Sequence, residues 1–206
     1  MWALGVAGVL AVGAALYVVL TSAGDGPDTG AAGPPRNTGF VFEAPRVDVT
    51  ALAGRPSAAS FEDDVERIRA MLSQFYDLAF LDPDSWPEGP PADVWDAFTP
   101  EAARRAKADP LALTLGPQPR LESLKSDDAA LSLDILFDTR KRPYAVIAGV
   151  TFDAAGFLGD GSPVTVRSEA EFLLRLVDGR WLVAGFPSAK VKVDSEPPPS
   201  PEPSAT

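Results

Sequence analysis

Nineteen consecutive residues, Trp2 to Leu20, carry no charged side chain. At about 1.5 Å of rise per helical residue such a run extends roughly 28 Å, close to the ~30 Å hydrocarbon core of a bilayer. No polar face interrupts it, so it does not read as one side of an amphipathic core helix. Residues 1–22 are therefore predicted to be a transmembrane anchor, in contact with membrane lipid through residues 2–20. The alternative is a cleaved signal, because Thr21-Ser22-Ala23 offers small residues at the minus-three and minus-one positions. Against cleavage, the run exceeds the usual apolar core of a signal, about 7–15 residues, and no Lys or Arg precedes it. Ala3, Ala7, Ala11 and Ala15 recur every four residues, a spacing that allows close helix–helix contact as well as plain lipid-facing filler.

Charge gives the orientation less purchase. Only the α-amino group precedes the run; Asp25 and Asp28 follow it, and the first positive side chain is Arg36. A short uncharged N-terminus ahead of a large C-terminal part predicts a single-pass protein of the cytoplasmic membrane with its domain extracytoplasmic.

Composition removes several chemistries. The chain has no cysteine, hence no disulfide framework, no thiol nucleophile and no lipid-modified cysteine as a second anchor. It has no histidine, the commonest general base and a leading ligand of transition metals. With 29 acidic against 18 basic residues, the net charge is −11. Nucleic-acid binding needs a basic face for the phosphates, and no nucleic-acid partner is expected. The same charge repels anionic lipid headgroups, apart from any local basic patch.

Beyond the anchor, residues 23–59 are rich in Gly, Pro, Ala, Asp and Thr and read as a flexible linker. One stretch inside it, Phe40-Val41-Phe42 followed by Val47-Asp48-Val49, could add a strand or lie as an arm on the domain. Residues 195–206, with Pro197, Pro198, Pro199, Pro201 and Pro203, read as a disordered Pro-rich tail. Residues 60–194 remain for one domain with one core.

That domain opens on a helix. Ser60 and Asp63 resemble a capping box, and Phe61, Val65, Ile68, Leu72, Phe75, Tyr76 and Ala79 recur on one face. The helix is predicted to stop at Leu81-Asp82-Pro83. Val94, Trp95 and Phe98 mark a short second helix. Thr99-Pro100-Glu101 is a helix start with an N-cap and a first-turn proline, giving a third helix to about Ala108. From Arg120 the period changes to two. Leu121–Lys125 reads as a weak strand, and Ala129–Phe137, Tyr144–Phe152 and Val164–Leu176 read as stronger ones. Asp178-Gly179 is a two-residue hairpin turn into Trp181–Phe186, with Val191-Lys192-Val193 a possible continuation past Pro187. Helices first and strands afterwards predict an α+β domain: N-terminal helices packed on one face of a curved, mostly antiparallel sheet.

That order of elements, ending in the Asp178-Gly179-Arg180-Trp181 hairpin, resembles the cystatin-like α+β roll of the nuclear transport factor two-like superfamily, which includes the SnoaL-like proteins. One span, a spacer, the roll and the last strand DGRWLVAGF are similar to the Mce-associated membrane proteins of bacteria. The long spacer departs from typical members. The resemblance implies an accessory component of the cell envelope and no established catalysis.

Rolls of this type curve around an apolar pocket, where an enzyme would need a carboxylate raised by burial and a phenol to stabilise an oxyanion. Asp134 and Tyr144 are the candidate pair, with Tyr76, Glu169 and Glu171 behind them. Asp134 lies opposite the apolar row of its strand, which predicts solvation. Tyr144 begins an apolar row and is expected in the core. Glu169 and Glu171 share a face with Arg167 and Arg175, the pattern of an exposed charge ladder. No catalytic residue is assigned outright, and no cofactor or metal is expected. Without His or Cys only an all-oxygen Ca²⁺ or Mg²⁺ site is possible, and neither Asp82-Pro83-Asp84 nor Asp127-Asp128 has calcium-loop spacing. Gly156, Gly159 and Gly161 are placed in a hairpin loop rather than a phosphate loop.

The expected function is a non-catalytic, membrane-anchored interaction module with protein partners in an envelope assembly for lipid transport or secretion. The alternatives are a structural subunit of a conjugative or secretion channel, and a pocket that binds or modifies a small apolar ligand.

Overall fold

A computed structural model describes residues 39–51, 56–57 and 60–195. The expected anchor, most of the linker and the Pro-rich tail beyond Ser195 lie outside the described residues. Among the described residues, no helix is long and apolar enough to cross a membrane.

The structure is α+β. Strand β1 (Arg46–Ala51) precedes helix α1 (Glu62–Tyr76) and helix α2 (Pro100–Ala108), and four long strands follow: β2 (Leu121–Phe137), β3 (Pro143–Leu158), β4 (Pro163–Val177) and β5 (Arg180–Ser195). They form one sheet in the order β1-β2-β3-β4-β5. The last four strands are antiparallel neighbours, whereas β1 joins β2 in parallel, Arg46 opposite Ser132 and Ala51 opposite Phe137.

Two readings are corrected here. The separate strands at 121–125 and 129–137 are one strand, bent by a register shift between Ser126 and Asp128. The folded domain also begins before residue 60. Arg46–Ala51, inside the span assigned to linker, is the strand its alternation allowed, and Phe42 upstream of it is buried. Val47 and Val49 face the core while Arg46, Asp48 and Thr50 face solvent, so a six-residue period-two pattern was enough to form an edge strand.

Helix α1 buries Ile68, Leu72, Phe75 and Tyr76 against the inner face of the sheet. Its start differs from the expected capping box. Ser60 Oγ donates to the Ser57 carbonyl at 2.6 Å, and the N-cap is Phe61, whose ring carries no hydrogen-bond acceptor for the first-turn N–H groups. Glu62, Asp63 and Asp64 in the first turn favour the positive end of the helix dipole instead. At its other end the helix widens into a π-turn over Asp77–Leu81, closed by Asp82 N–H on the Asp77 carbonyl at 2.9 Å. Pro83 ends the run as predicted. Trp86 Nε1 donates to the Phe80 carbonyl at 2.9 Å, satisfying an acceptor of that turn.

Helix α2 starts at Pro100 with Thr99 Oγ1 accepting from Ala102 N–H at 3.3 Å. Thr99 N–H also donates to the Val183 carbonyl at 2.9 Å, which ties this helix start to β5. The turn between β4 and β5 carries positive φ at Asp178 (49°) and Gly179 (78°), the backbone of a type I′ hairpin. Strand β5 does continue past Pro187. The register slips by one between the Glu171 and Leu173 pairings, so the proline sits at a bulge on an edge strand where a missing donor is tolerated.

Candidate functional site

The helices cover one face of the sheet, and side chains fill the space between them. Tyr76 stacks on Phe80 with ring centroids 5.2 Å apart, and both lean on Phe152 at 5.2 Å. Phe42 meets Tyr76 edge-on at 5.4 Å, while Phe75 touches Phe98 and Phe172. Each such pair contributes about 0.5–1.5 kcal/mol beyond the area it buries. The only polar contact of Tyr76 in this cluster is Ser168, oxygen to oxygen 3.3 Å. Burial pushes the Tyr76 phenol well above its ordinary range, against the smaller opposing effect of the Ser168 hydrogen bond. A fully buried phenol held neutral among rings is a core residue.

The other sequence candidates do not converge on it. Asp134 is on the outer face, where Thr50 Oγ1 donates to its Oδ1 at 3.2 Å. Tyr144 is not a core residue; it opens β3 half exposed, and the buried row begins with Ala145 and Val146. The reason is a bulge: Leu136 pairs with Ala145 and Phe137 with Pro143, so Tyr144 is the extra residue and the period-two row begins only at Val146. None of the five cavities described below is lined by Asp134 or Tyr144.

Glu169 and Glu171 lie together on the solvent face of β4, which alternates strictly between exposed and buried. They border a wide depression of about 520 Å³ floored by Ser132 and Gly149 and edged by Arg46 and Ser188. A second depression of about 510 Å³ holds Asp127, Asp128, Arg167 and Lys192. There Arg167 Nε meets Asp153 Oδ1 at 2.7 Å, and Lys192 Nζ meets Asp194 at 2.6 Å. Both are solvated ion pairs, the first across β3 and β4 and the second along β5, worth a fraction of a kcal/mol each.

Smaller clefts lie at the margins. One of about 110 Å³ at the open end of the sheet is lined by Leu121, Leu158, Val164 and Val193 with Arg120 at its edge. One of about 430 Å³ lies under Phe40, between Leu81, Pro83 and Leu124. A third, of about 220 Å³, lies between α1 and the turn at 92–97, with Asp93, Asp96 and Arg180 on its walls.

Among the described residues, no group of three or more carboxylates is placed to hold a metal ion. Asp82 is buried beside the end of α1. Burial raises its carboxyl above the usual range, helped by Asp84, Asp77 and Asp93, while the Asp84 N–H it accepts at 3.1 Å opposes the shift. Its role is to cap the turn at Pro83–Ser85. Gly156 is not a loop residue; it lies in β3, where a Cβ would come within 1.8 Å of the Ser123 carbonyl oxygen.

Two arrangements escaped the sequence. Helix α1 clamps the chain upstream of β1: Phe42 N–H donates to Ser73 Oγ at 3.1 Å, and Arg69 Nη1 donates to the Phe42 carbonyl at 3.0 Å. Trp181 of the last hairpin donates its indole N–H to Asp64 of α1 at 2.9 Å. Neither has a local signature, because the partners are 27 or more residues apart. No family model matches this chain, and neither a curated protein nor a solved structure is found to be similar to it.

Proposed function

We propose that this protein is a membrane-tethered, non-catalytic interaction module of a cell-envelope assembly, built on a roll of the nuclear transport factor two-like kind. The observation that carries the reading is the filled interior: Tyr76, Phe80, Phe152 and Phe172 occupy the place where a substrate or apolar ligand would sit. The groups that could do chemistry, Asp134, Tyr144, Tyr76, Glu169 and Glu171, are spread over two faces and one core. What remains available for work is outer surface. The apolar run Trp2–Leu20 supplies the tether and the extracytoplasmic address.

The family reading, Mce-associated or SnoaL-like, is supported by the element order, by helices packed on one sheet face, and by the Asp178-Gly179-Arg180-Trp181 hairpin. The test is alkaline carbonate washing of membranes followed by cross-linking of the tagged full chain. The intact chain should stay with the membrane and capture a defined envelope protein. Release of the uncleaved chain, or recovery as a lone monomer with a bound small molecule, would count against the proposal.

A further inference from the structure

Two hairpin tips lie side by side at one end of the sheet. The first joins β2 to β3 through Asp138–Arg142, the second joins β4 to β5 through Asp178-Gly179, and β3 is hydrogen-bonded to β4 with Ala145 opposite Arg175. Leu176 lies opposite Trp181 and shares the inner side of the sheet with it, whereas Leu173, Arg175 and Val177 alternate onto the outer side. Four large apolar side chains are left exposed there, Tyr144 at 51%, Leu176 at 44%, Val177 at 38% and Leu173 at 37%. Around them are Arg140, Lys141, Arg142, Arg175 and Arg180, all exposed, against Asp138 and Asp178. In a chain of net charge −11 this is a reversed patch.

Two of the cations are partly engaged. Arg142 pairs with Asp138 at 3.5 Å, and Arg180 borders the cleft beside Asp93 and Asp96. Arg140, Lys141 and Arg175 have no such ties. The acidic first turn of α1, Glu62 to Asp64, is at the same end but on the inner side of the sheet, where Asp64 is held by Trp181 and Arg67. Acid and base thus lie on opposite sides of one sheet edge.

We propose that the outer side of these two tips docks on an anionic membrane surface, with the cations among the headgroups and Val177 and Leu173 at the headgroup–acyl boundary. None of the cavities above is lined by residues 138–144 or 175–179. A headgroup layer moulds itself round such a tip. A second copy presenting the same patch would bring like charges together. Exposed aliphatic side chains flanked by Arg and Lys favour the interface of an anionic bilayer. The inference rests on the tethered reading only in that the tether keeps a bilayer within reach.

Because the chain has no cysteine, Thr139→Cys gives a unique site for an environment-sensitive fluorophore on the tip, and Ala155→Cys gives one at the far end. The full chain is reconstituted in vesicles of phosphatidylcholine, alone or with an equal part of phosphatidylglycerol. The label at 139 should shift to the blue and become shielded from an aqueous quencher only with phosphatidylglycerol; the label at 155 should not respond. Each cation near the surface is worth about a five-fold factor, so Lys141→Gln with Arg175→Gln should lower the docked-to-free ratio about 25-fold. About 1 M salt, with a screening length of ~3 Å, should do the same in the unsubstituted chain. Equal response on both lipids, response at both labels, or response to soluble polyglutamate but not to anionic vesicles overturns the proposal, the last in favour of an acidic protein partner. Loss of the full chain from phosphatidylcholine vesicles would instead sink the tether, and the 139 label on added anionic vesicles would still read the tip.

Discussion

Gly156, Tyr76 and Asp82 show how far a residue's chemistry is set by what lies across from it. Gly156 faces the Ser123 carbonyl at a bulge, so Gly156→Ala has no room to relax without moving backbone. It should cost about 1–3 kcal/mol or more in urea unfolding. Gly149→Ala should cost less, because its Cβ would meet only the Ser132 hydroxyl, a group that can rotate away. Tyr76→Phe removes the Ser168 contact and should cost about 1 kcal/mol. The Tyr76 phenol also ionises far more reluctantly folded than unfolded. Its contribution is therefore full below the ordinary phenol value near 10 and is lost as pH rises above it, so alkaline unfolding and the tyrosinate absorbance of Tyr76 should appear together. Asp82 has the same sign at acid pH. Its folded carboxyl lies above its unfolded one, so the charged form is a burden at neutral pH, relieved as pH falls toward about 4. Asp82→Asn keeps the acceptor for Asp84 N–H; it should raise the urea midpoint at pH 7 and flatten its change down to pH 4. The sequence marked Asp82 as a turn residue, and it is one. It could not show Gly156 in a strand, since the atom that requires glycine belongs to another strand.

At the scale of elements, local pattern carried the helices and the long strands. The apolar spacing of Ile68, Leu72 and Phe75, the Thr99-Pro100 start and the Asp178-Gly179 turn are decided by neighbours a few residues away, and all formed as read. Parallel pairing of β1 and the clamp on Phe42 are decided by contacts far apart in the chain, and composition alone had placed that segment in a linker. The clamp predicts a boundary. A chain beginning at residue 39 should fold as the full chain does, whereas one beginning at residue 60 loses β1 and uncovers Tyr76 and Phe152, and should unfold at much lower urea or aggregate. Phe42→Ala in the full chain should cost about 3–5 kcal/mol. Ser73→Ala, which leaves a buried N–H of Phe42 without its acceptor, should cost about 1–3 kcal/mol in the same measurement. Trp181→Phe tests the link between the last hairpin and α1: its loss of the bond to Asp64 should be absent in an Asp64→Ala background, as a double-mutant cycle would read.

At the scale of the whole chain, the described residues form a filled α+β body in a strongly acidic sequence, with a reversed patch at the hairpin tips. A filled body predicts that an apolar dye or fatty acid added to the full chain in detergent will bind no tighter to the native protein than to Tyr76→Ala. That substitution opens a cavity among Phe42, Phe80 and Phe152 and should raise dye fluorescence. The amino-acid sequence by itself determined the residue chemistry and the local periods. It excluded thiol and imidazole reactions, it marked an apolar run of bilayer length, and it ordered helices before a meander of strands, because each of these depends on residue type or on spacing within a few positions. Only the tertiary structure decided that the space between helices and sheet is filled, that Tyr144 is outside while Phe42 is inside, and that two separate loops lie side by side at one end of the sheet. Those outcomes are set by which distant segments exclude water from one another, and no local pattern carries that information.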